Sequence, residues 1–488
     1  MRDWLALRRD ATPDDVALIA DRSGATWTYR DLDEDVDVVS SALAGLGVGP
    51  GDRVGLVMDT SPAFVRLVWA VQRRGAILVP FNAGLTADEI GDQVERVDPD
   101  VVVADADHEE TAVTSADGVP VVGVATEGLD AVETLHSFGG DDVAPVDRSL
   151  TETMAVLFTS GTTGSPTAVR LTAANVLASA TASAFRLGVL PSDRWLLCLP
   201  MYHMGGLSVP IRTTVYGTTT VLQEDFDAAG VLTAIEERDA TGVSLVPTML
   251  RRLLDAGMGR SSLRFALVGG GPADPDLITA ARDANVPVYP TYGMTETASQ
   301  VATATPAEVE DAPDTVGRPL AGVAVVVRDE SGDPVPAGTV GEITVAGPTV
   351  SPDVRESGPS DGGWFATGDL GYRDGAGRLF VVGRADDQIV TGGENVAPAT
   401  VRRAIEGHPA VEAAAVVGLP DPEWGERVAA LVVRSGSVDA DELDAYLRDR
   451  LADYQRPKTI GFATDLPRTA SGTVDRDAVA DRLRKVES

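Results

Sequence analysis

The chain of 488 residues has one cysteine, Cys198, and only two lysines, Lys458 and Lys485. A single thiol excludes an internal disulfide framework and any cysteine-rich zinc site, and it is most simply a small buried hydrophobe. No uninterrupted apolar stretch approaches the roughly 18–20 residues of a membrane-spanning helix. The N-terminal run MRDWLALRRDATPDD lacks the long apolar core and small-residue cleavage site of a secretory signal. A cytoplasmic protein without membrane insertion is the expectation.

Positive charge is scarce. Forty basic residues face 74 acidic ones, a net charge of −34, which repels nucleic acid and anionic membrane surfaces. All but two of the basic residues are arginine. An acidic surface almost without lysine suits the cytoplasm of a halophile, where at about 1 M salt the Debye length shrinks to about 3 Å and self-repulsion is screened. A GC-rich genome explains the arginines too, but less well the excess of acid. With 44% hydrophobic and 23% charged residues, the chain reads as globular, with several domains.

Along the first half, amphipathic helices alternate with short apolar strands. Helix 37–49 leads to strand 53–58, helix 63–75 to strand 76–81, and helix 86–97 to strand 100–105. Alternation at this spacing means βαβ units and parallel sheet. It resumes after 175 with helix NVLASATASAF and strands WLLCLP, GVSLVP, FALVGG and VPVYP. Between 315 and 384 the pattern changes to short strands with turns, a small antiparallel or barrel-like piece. From about 386 a compact α+β tail follows. The acid-rich stretch 100–150 reads as solvated.

The central chemical signal is LFTSGTTGSPTAVRLT at 157–172. Glycines and hydroxyl residues follow an apolar strand and precede a helix starting near Ala173. Such a loop lets backbone N–H groups close around a phosphate. The Gly-Lys-Ser/Thr of a Walker loop is missing, and read alone the run is also compatible with a plain turn.

Further motifs follow in order: GGGP at 269–272, YGMTET at 292–297, WFATGDLG at 364–371, GRADDQIVTGGENVAP at 383–398 and LPRTASG at 466–472. With the phosphate loop, these six resemble the signature set of the adenylate-forming superfamily of acyl-CoA synthetases, luciferases and peptide-synthetase adenylation domains. The resemblance covers essentially the whole chain. It implies an α/β fold: a large N-terminal domain (1–384) of two Rossmann-like αβ subdomains plus a small β-barrel-like subdomain, then a small mobile α+β C-terminal domain (385–488) with a hinge near Asp386.

The resemblance also assigns roles. Thr159, Ser160, Gly161, Thr162, Thr163 and Gly164 would cradle the phosphates of ATP. Gly269, Gly270, Gly271 and Pro272 would line the adenine side, and Tyr292, followed by Gly293, would stack on the base. Thr295 would touch phosphate, and Glu296 would hold Mg²⁺, a hard cation that prefers carboxylate and phosphate oxygen. Asp369 would accept from both ribose hydroxyls, with Arg384 adding a planar donor fork. Gly392, Gly393 and Glu394 would lie on the CoA side. Asp369 is also compatible with an Asx turn, and Arg384 and Asp386 with a surface ion pair. The implied reaction has two steps. A carboxylate attacks the α-phosphate of ATP to give an acyl-adenylate and pyrophosphate, and the thiol of CoA then displaces AMP. Positioning and charge neutralisation carry such chemistry, in keeping with few nucleophilic side chains. A homodimer is a family-level expectation.

Two positions depart from the pattern. The phosphate loop continues Pro166-Thr167-Ala168 and the last motif ends Ser471-Gly472-Thr473, where the family usually has lysine in place of Thr167 and Thr473. Threonine supplies no positive charge, and losing one such contact costs about 10²–10³ in rate. Lys458, Arg468 or Arg476 would be the side chains to reach the phosphates in its place, with molar K⁺ as a further source of positive charge.

The acid should lie between LPMYHMGGLS (199–208) and Val246–Leu250, lined also by Gly270, Thr248, Ser208 and Met294. His203 would contact the carboxyl or wall the pocket, the alternative being a core histidine. Nine residues on, Arg212 interrupts an otherwise apolar helix. A buried arginine needs an anion; a snorkelling one does not. If it points inward, the substrate carries a second carboxylate. The runs DRWLLCLPMYHMGGLS, SLVPTML, LVGGGPA and YGMTETASQVAT look most like the o-succinylbenzoate–CoA ligases of menaquinone biosynthesis, whose substrate has a succinyl carboxylate to activate and an aromatic one to spare. A CoA ligase for another aromatic or medium-chain acid, or a non-catalytic adenylate-binding homologue, stays open.

Overall fold

The computed structural model describes residues 3–125, 129, 132–139, 146–159, 166–271, 273–357, 363–385, 389–391, 394–396, 398–421, 424–448, 450–451, 453–469 and 474–486. The chain divides into two compact units: Met1–Val326 with Thr344–Phe365 and Gly375–Phe380, and Val327–Ile343 with Ala366–Asp374 and Val381–Ser488.

Two sheets organise the larger unit. One runs in the order Glu133–Thr134, Val121–Gly123, Val101–Ala104, Arg53–Val57, Ile77–Pro80, Thr153–Thr159, Thr167–Thr172. Its pairings are parallel except the last, an antiparallel hairpin. The other has nine strands, with Val288–Met294, Phe265–Val268, Gly242–Leu245, Arg194–Leu197, Thr219–Leu222 and Val16–Ala20 forming its parallel centre. Antiparallel strands Ser299–Thr303 and Thr26–Thr28 flank that centre. The central strands are continuous apolar runs because helices cover both faces. Local signals fix the helix starts. Thr28, Thr86 and Thr172 each close a capping box, with Asp31, Glu89 and Asn175 respectively.

The doubly wound α/β architecture agrees with the sequence, and a four-stranded sheet of Ala324–Arg328, Gly341–Ala346, Phe365–Arg373 and Leu379–Arg384 fills the region of short strands. In the smaller unit, Val411–Asp421 and Gly425–Arg434 form a long antiparallel pair, with Thr459–Ala463 added in parallel. Helices Pro398–Glu406 and Arg476–Val486 complete its α+β character.

Several expectations need correction. The helix placed at 37–49 spans Tyr29–Gly45, because the Thr28 cap starts it early. The run GVSLVP is not all strand: the strand stops at Leu245, and Pro247 opens the helix Pro247–Asp255, proline being preorganised for a first turn. The strand read as VPVYP continues to Met294. The acid-rich stretch 100–150 is not simply solvated, since Val102, Val103 and Ala104 are fully buried and so is Glu109.

Candidate active site

Four neighbouring parallel strands of the nine-stranded sheet end at one edge, and each hands the chain to a motif. Arg194–Leu197 leads into Cys198–His203, Gly242–Leu245 into Val246 and Pro247, Phe265–Val268 into Gly269–Gly271, and Val288–Met294 into Thr295 and Glu296. After Arg194–Leu197 the chain crosses first to Thr219–Leu222 on one side, then to Gly242–Leu245 on the other. That reversal opens a crevice at the carboxyl ends of the strands, where open α/β sheets bind ligands.

Close backbone approaches shape the crevice. A Cβ on Gly293 would sit 1.8 Å from the Ser299 carbonyl oxygen, and one on Gly269 would sit 2.6 Å from Thr291 Cγ2. Gly270 has φ 78°, a left-handed conformation that glycine adopts without strain. Tyr292 is buried within its strand, and the ladder to Ser299–Thr303 slips by one residue just after it. Thr295 and Glu296 are half-buried in a single 3-10 turn, Thr295–Thr297. Directly after it, Ala298 (φ 51°) and Ser299 (φ 102°) are two successive non-glycine residues in the left-handed region. Such strain gathers at functional sites, and no sequence signal marked it. Gln300 donates to Thr303 Oγ1 at 2.8 Å, and its own Oε1 is buried without a partner among the described residues.

A strap of chain, Pro348–Asp353, ties parts of this site together. Asn175, already in its capping box, donates to the Pro348 and Val350 carbonyls at 2.7 and 3.0 Å. Asp353 accepts from the Arg170 backbone and Nε, both at 2.9 Å. Ser351 donates through Oγ to the Arg170 carbonyl and through its N–H to the Glu296 carbonyl at 2.7 Å. Of the phosphate loop, Thr159 ends one hairpin strand and Thr167 opens the next, exposed and paired with Thr159. Residues 160–164 lie outside the described residues, as do Pro272, Asp386, Gly392, Gly393 and Thr473.

His203 sits at the start of the helix Met204–Tyr216, its carbonyl accepting the first helical bonds from Gly206 and Leu207. Its ring packs edge-on against Tyr202 at 4.7 Å, and among the described residues no hydrogen bond engages the imidazole. The residue is exposed, yet the protein around it desolvates the ring enough to hold its pKa below the ordinary histidine value. The preceding loop is pinned where Met201 N–H donates to Thr60 Oγ1 at 2.9 Å, a residue that motif reading missed. Asp59 lies close enough that, after burial, its charge is the second cause raising the Tyr202 pKa. Gly206 lets the helix pass the Pro200 carbonyl, 2.2 Å from where a Cβ would be.

Further along that helix, Ser208 is buried and donates to the Gly205 carbonyl at 3.3 Å. Arg212 points inward and is 2% exposed. It has one long bond to Ser179 Oγ at 3.4 Å and lies over the Trp195 ring at 5.6 Å. No carboxylate pairs with it among the described residues. Burial pushes its pKa down, with Tyr216 opposing. Thr248, by contrast, is exposed in the first turn of Pro247–Asp255.

The smaller unit holds a second group. Asp369 and Arg384 form an ion pair at 3.6 Å, so Arg384 reaches across to the neighbouring strand. A Cβ on Gly368 would lie 2.9 Å from Arg384 Nη2, and Gly368 N–H donates to Glu342 at 3.1 Å. Arg476, at the start of its helix, is close enough that, after desolvation, the charge of Arg384 further lowers its pKa. Lys458 Nζ donates to the Asp453 carbonyl at 3.4 Å, and Arg468 pairs in a short bridge with Val474. Glu394 begins the strand Glu394–Val396.

The profile of AMP-binding enzymes matches residues 6–353, and that of their C-terminal domain matches residues 401–473. The chain belongs to the AMP-binding enzyme family. It is 36% identical over 479 residues to a 2-succinylbenzoate–CoA ligase of Bacillus cereus, covering 96% of both chains. To that of Bacillus pumilus it is 37% identical over 482 residues, covering 97% of this chain and 96% of the other. Among solved structures, the Bacillus subtilis o-succinylbenzoate CoA synthetase in complex with the acyl-adenylate intermediate superposes with a TM-score of 0.91 at 33% identity, covering 98% of each. The same enzyme with ATP and magnesium gives 0.90 at 32%, covering 99% of each.

Proposed function

We propose that this protein is an ATP-dependent, AMP-forming acid–CoA ligase whose acid is 2-succinylbenzoate, acting in the cytoplasm of a salt-loaded cell. The observation that carries the substrate class is Arg212. A fully buried guanidinium without an acidic partner is costly, and a second carboxylate on the substrate would complete it.

In this reading the succinyl carboxylate meets the α-phosphate of ATP beside His203, whose neutral imidazole donates to or accepts from the reacting carboxyl. The phosphate loop from Thr159 to Gly164 and Thr295 position the polyphosphate, while Gly269–Pro272, Tyr292 and Gly293 receive the adenine. Asp369 and Arg384 hold the ribose. Glu296 offers hard oxygen in the half-buried turn and so fits Mg²⁺, which when bound neutralises charge on the phosphates. Ser208, Thr248, Gly270 and Met294 line the acid. The small domain, residues 385–488 with its hinge near Asp386, then brings Gly392, Gly393 and Glu394 to the CoA side for thioester formation. Arg476, neighbour of Arg384, supplies the positive charge that Thr473 lacks.

Purified protein with ATP, Mg²⁺, CoA and 2-succinylbenzoate in molar KCl should yield AMP and the acyl-CoA, followed by mass, while benzoates and short fatty acids should not react. Turnover of a different acid in preference would overturn the substrate. Thr167 and Thr473 favour a second reading, in which adenylation is lost and only a supplied acyl-adenylate is converted to thioester.

A further inference from the structure

The seven-stranded sheet has a crevice of its own, which none of the sequence motifs reaches. Strand Arg53–Val57 pairs with Val101–Ala104 on one side and with Ile77–Pro80 on the other. From Arg53–Val57 the chain leaves through helix Pro62–Arg73 to Ile77–Pro80. From Val101–Ala104 it leaves through helix Glu109–Ser115 to Val121–Gly123, in the opposite direction. The carboxyl ends of these two neighbours form a topological switch point, where open α/β sheets take ligands. Three side chains meet there: Asp59 beyond the end of one strand, Asp105 and His108 beyond the end of the other. Their ligand atoms all lie within 4.8 Å of one another, and His108 Nδ1 is 2.6 Å from Asp105 Oδ1. Backbone bonds fix the group: Asp59 N–H donates to Asp105 Oδ2 at 2.8 Å, and His108 N–H to Asp105 Oδ1 at 3.1 Å.

We propose that Asp59, Asp105 and His108 bind a divalent first-row transition metal of the zinc class. Charge makes the case first. Carboxylates that this protein encloses are met by arginine: Asp33 by Arg73, Asp193 by Arg264 and Glu308 by Arg318. Asp59 and Asp105 have no arginine or lysine partner among the described residues, and the imidazole beside them could offset only one of the two carboxylates. The donor set then selects the ion. Carboxylate alone suits Mg²⁺ or Ca²⁺, whereas imidazole joined to carboxylate suits zinc and its neighbours. Ligand atoms around a tetrahedral zinc stand about 3.4 Å apart, and Asp59, exposed at the rim, has the freedom to close the gap. Three protein ligands leave a fourth position open. The ion also bears on the acid site, because Thr60, the residue after Asp59, accepts from the Met201 N–H that pins the His203 loop.

Calorimetric titration of the full chain with Zn²⁺ tests this, without ATP or acid and with molar KCl and millimolar Mg²⁺ present to screen the diffuse acidic surface. A single ion per chain should bind in the micromolar range. At a hundredfold excess over its dissociation constant it should raise the melting temperature by about 2–3 °C. His108→Ala should weaken binding about 100-fold although it leaves every carboxylate in place, and its melting in EDTA should match that of the parent. His108→Cys is an independent variant that keeps a ligand at the position. With Co²⁺ it should show a thiolate-to-metal charge-transfer band in the near ultraviolet that the parent lacks, since the native Cys198 is buried. Zn²⁺ held equally by parent and His108→Ala, the behaviour of an acidic surface patch, would overturn the proposal. So would a parent that binds no Zn²⁺, or a His108→Cys variant without that band.

Discussion

Replacing Arg212 by methionine separates a substrate contact from a structural prop. Among the described residues the guanidinium has lost water and gained a 3.4 Å bond to Ser179 and a ring at 5.6 Å, but no carboxylate. Exchanging buried ionic groups for apolar ones of similar volume is typically neutral or stabilising by about 1–4 kcal/mol. Unfolding entropy for a chain of 488 residues comes to about 1 kcal/mol/K, so Arg212→Met should melt about 1–4 °C higher or unchanged. Its effect on turnover is opposite. The aromatic carboxylate of 2-succinylbenzoate would enter the site unpaired, a loss of about 3–5 kcal/mol, and kcat/KM should fall roughly 10²–10⁴-fold. The same acid with that carboxylate esterified should be used equally by both proteins. Calorimetry and a CoA-thioester assay on both acids decide it. Equal losses for diacid and ester, or a clear drop in melting temperature, would show that Arg212 serves the fold and not the substrate.

Gly293→Ala forces a methyl against the Ser299 carbonyl at 1.8 Å; overpacking of this kind costs about 1–3 kcal/mol, and nucleotide affinity by calorimetry should fall with stability. Arg476→Ala should slow adenylation by about 10²–10³-fold in pyrophosphate release, while conversion of a supplied acyl-adenylate to thioester stays as it was. His203 has its pKa held below the ordinary value in the folded state. As pH falls past the ordinary histidine value of about 6.5, the unfolded chain takes up the proton first, so stability is lost on acidification. His203→Gln should therefore melt with a flatter pH dependence between about pH 7 and 5, and parallel curves would refute the shift. Burial pushes the Cys198 thiol up to about 12, so an aromatic disulfide reagent at pH 8 should label it only on unfolding, at the unfolding rate seen by fluorescence.

Much of this was legible because the period of the apolar residues and the order of motifs survive in one dimension. Alternating strands and helices gave the parallel sheets, and the motifs lie just after strands, where chemistry collects in such folds. Boundaries were harder. Across Ser244–Leu250 apolar residues run on through a strand end and a helix start, and nothing in periodicity separates them. The left-handed pair Ala298 and Ser299 carries no glycine to announce it. Arg212 posed the same difficulty in another form. A helix apolar on every side does not tell which way its one charge points, and only packing against Ser179 and Trp195 turned it inward. The Asp369–Arg384 pair was foreseen as two separate ribose contacts, but not as partners of each other.

The strap Pro348–Asp353 closes a ring through space between chain segments more than a hundred residues apart. Through it, the strand Thr167–Thr172, the start of the helix at Ala173 and the Glu296 turn are fastened to one another by short hydrogen bonds. The phosphate loop is thus a span between two fixed piers, Thr159 and Thr167, which themselves pair. The turn that carries Glu296 is held by the strap itself, and Thr167, as a pier, is fixed through its backbone pairing whatever side chain it bears. A change of side chain at that position therefore leaves the rest of the crevice in register.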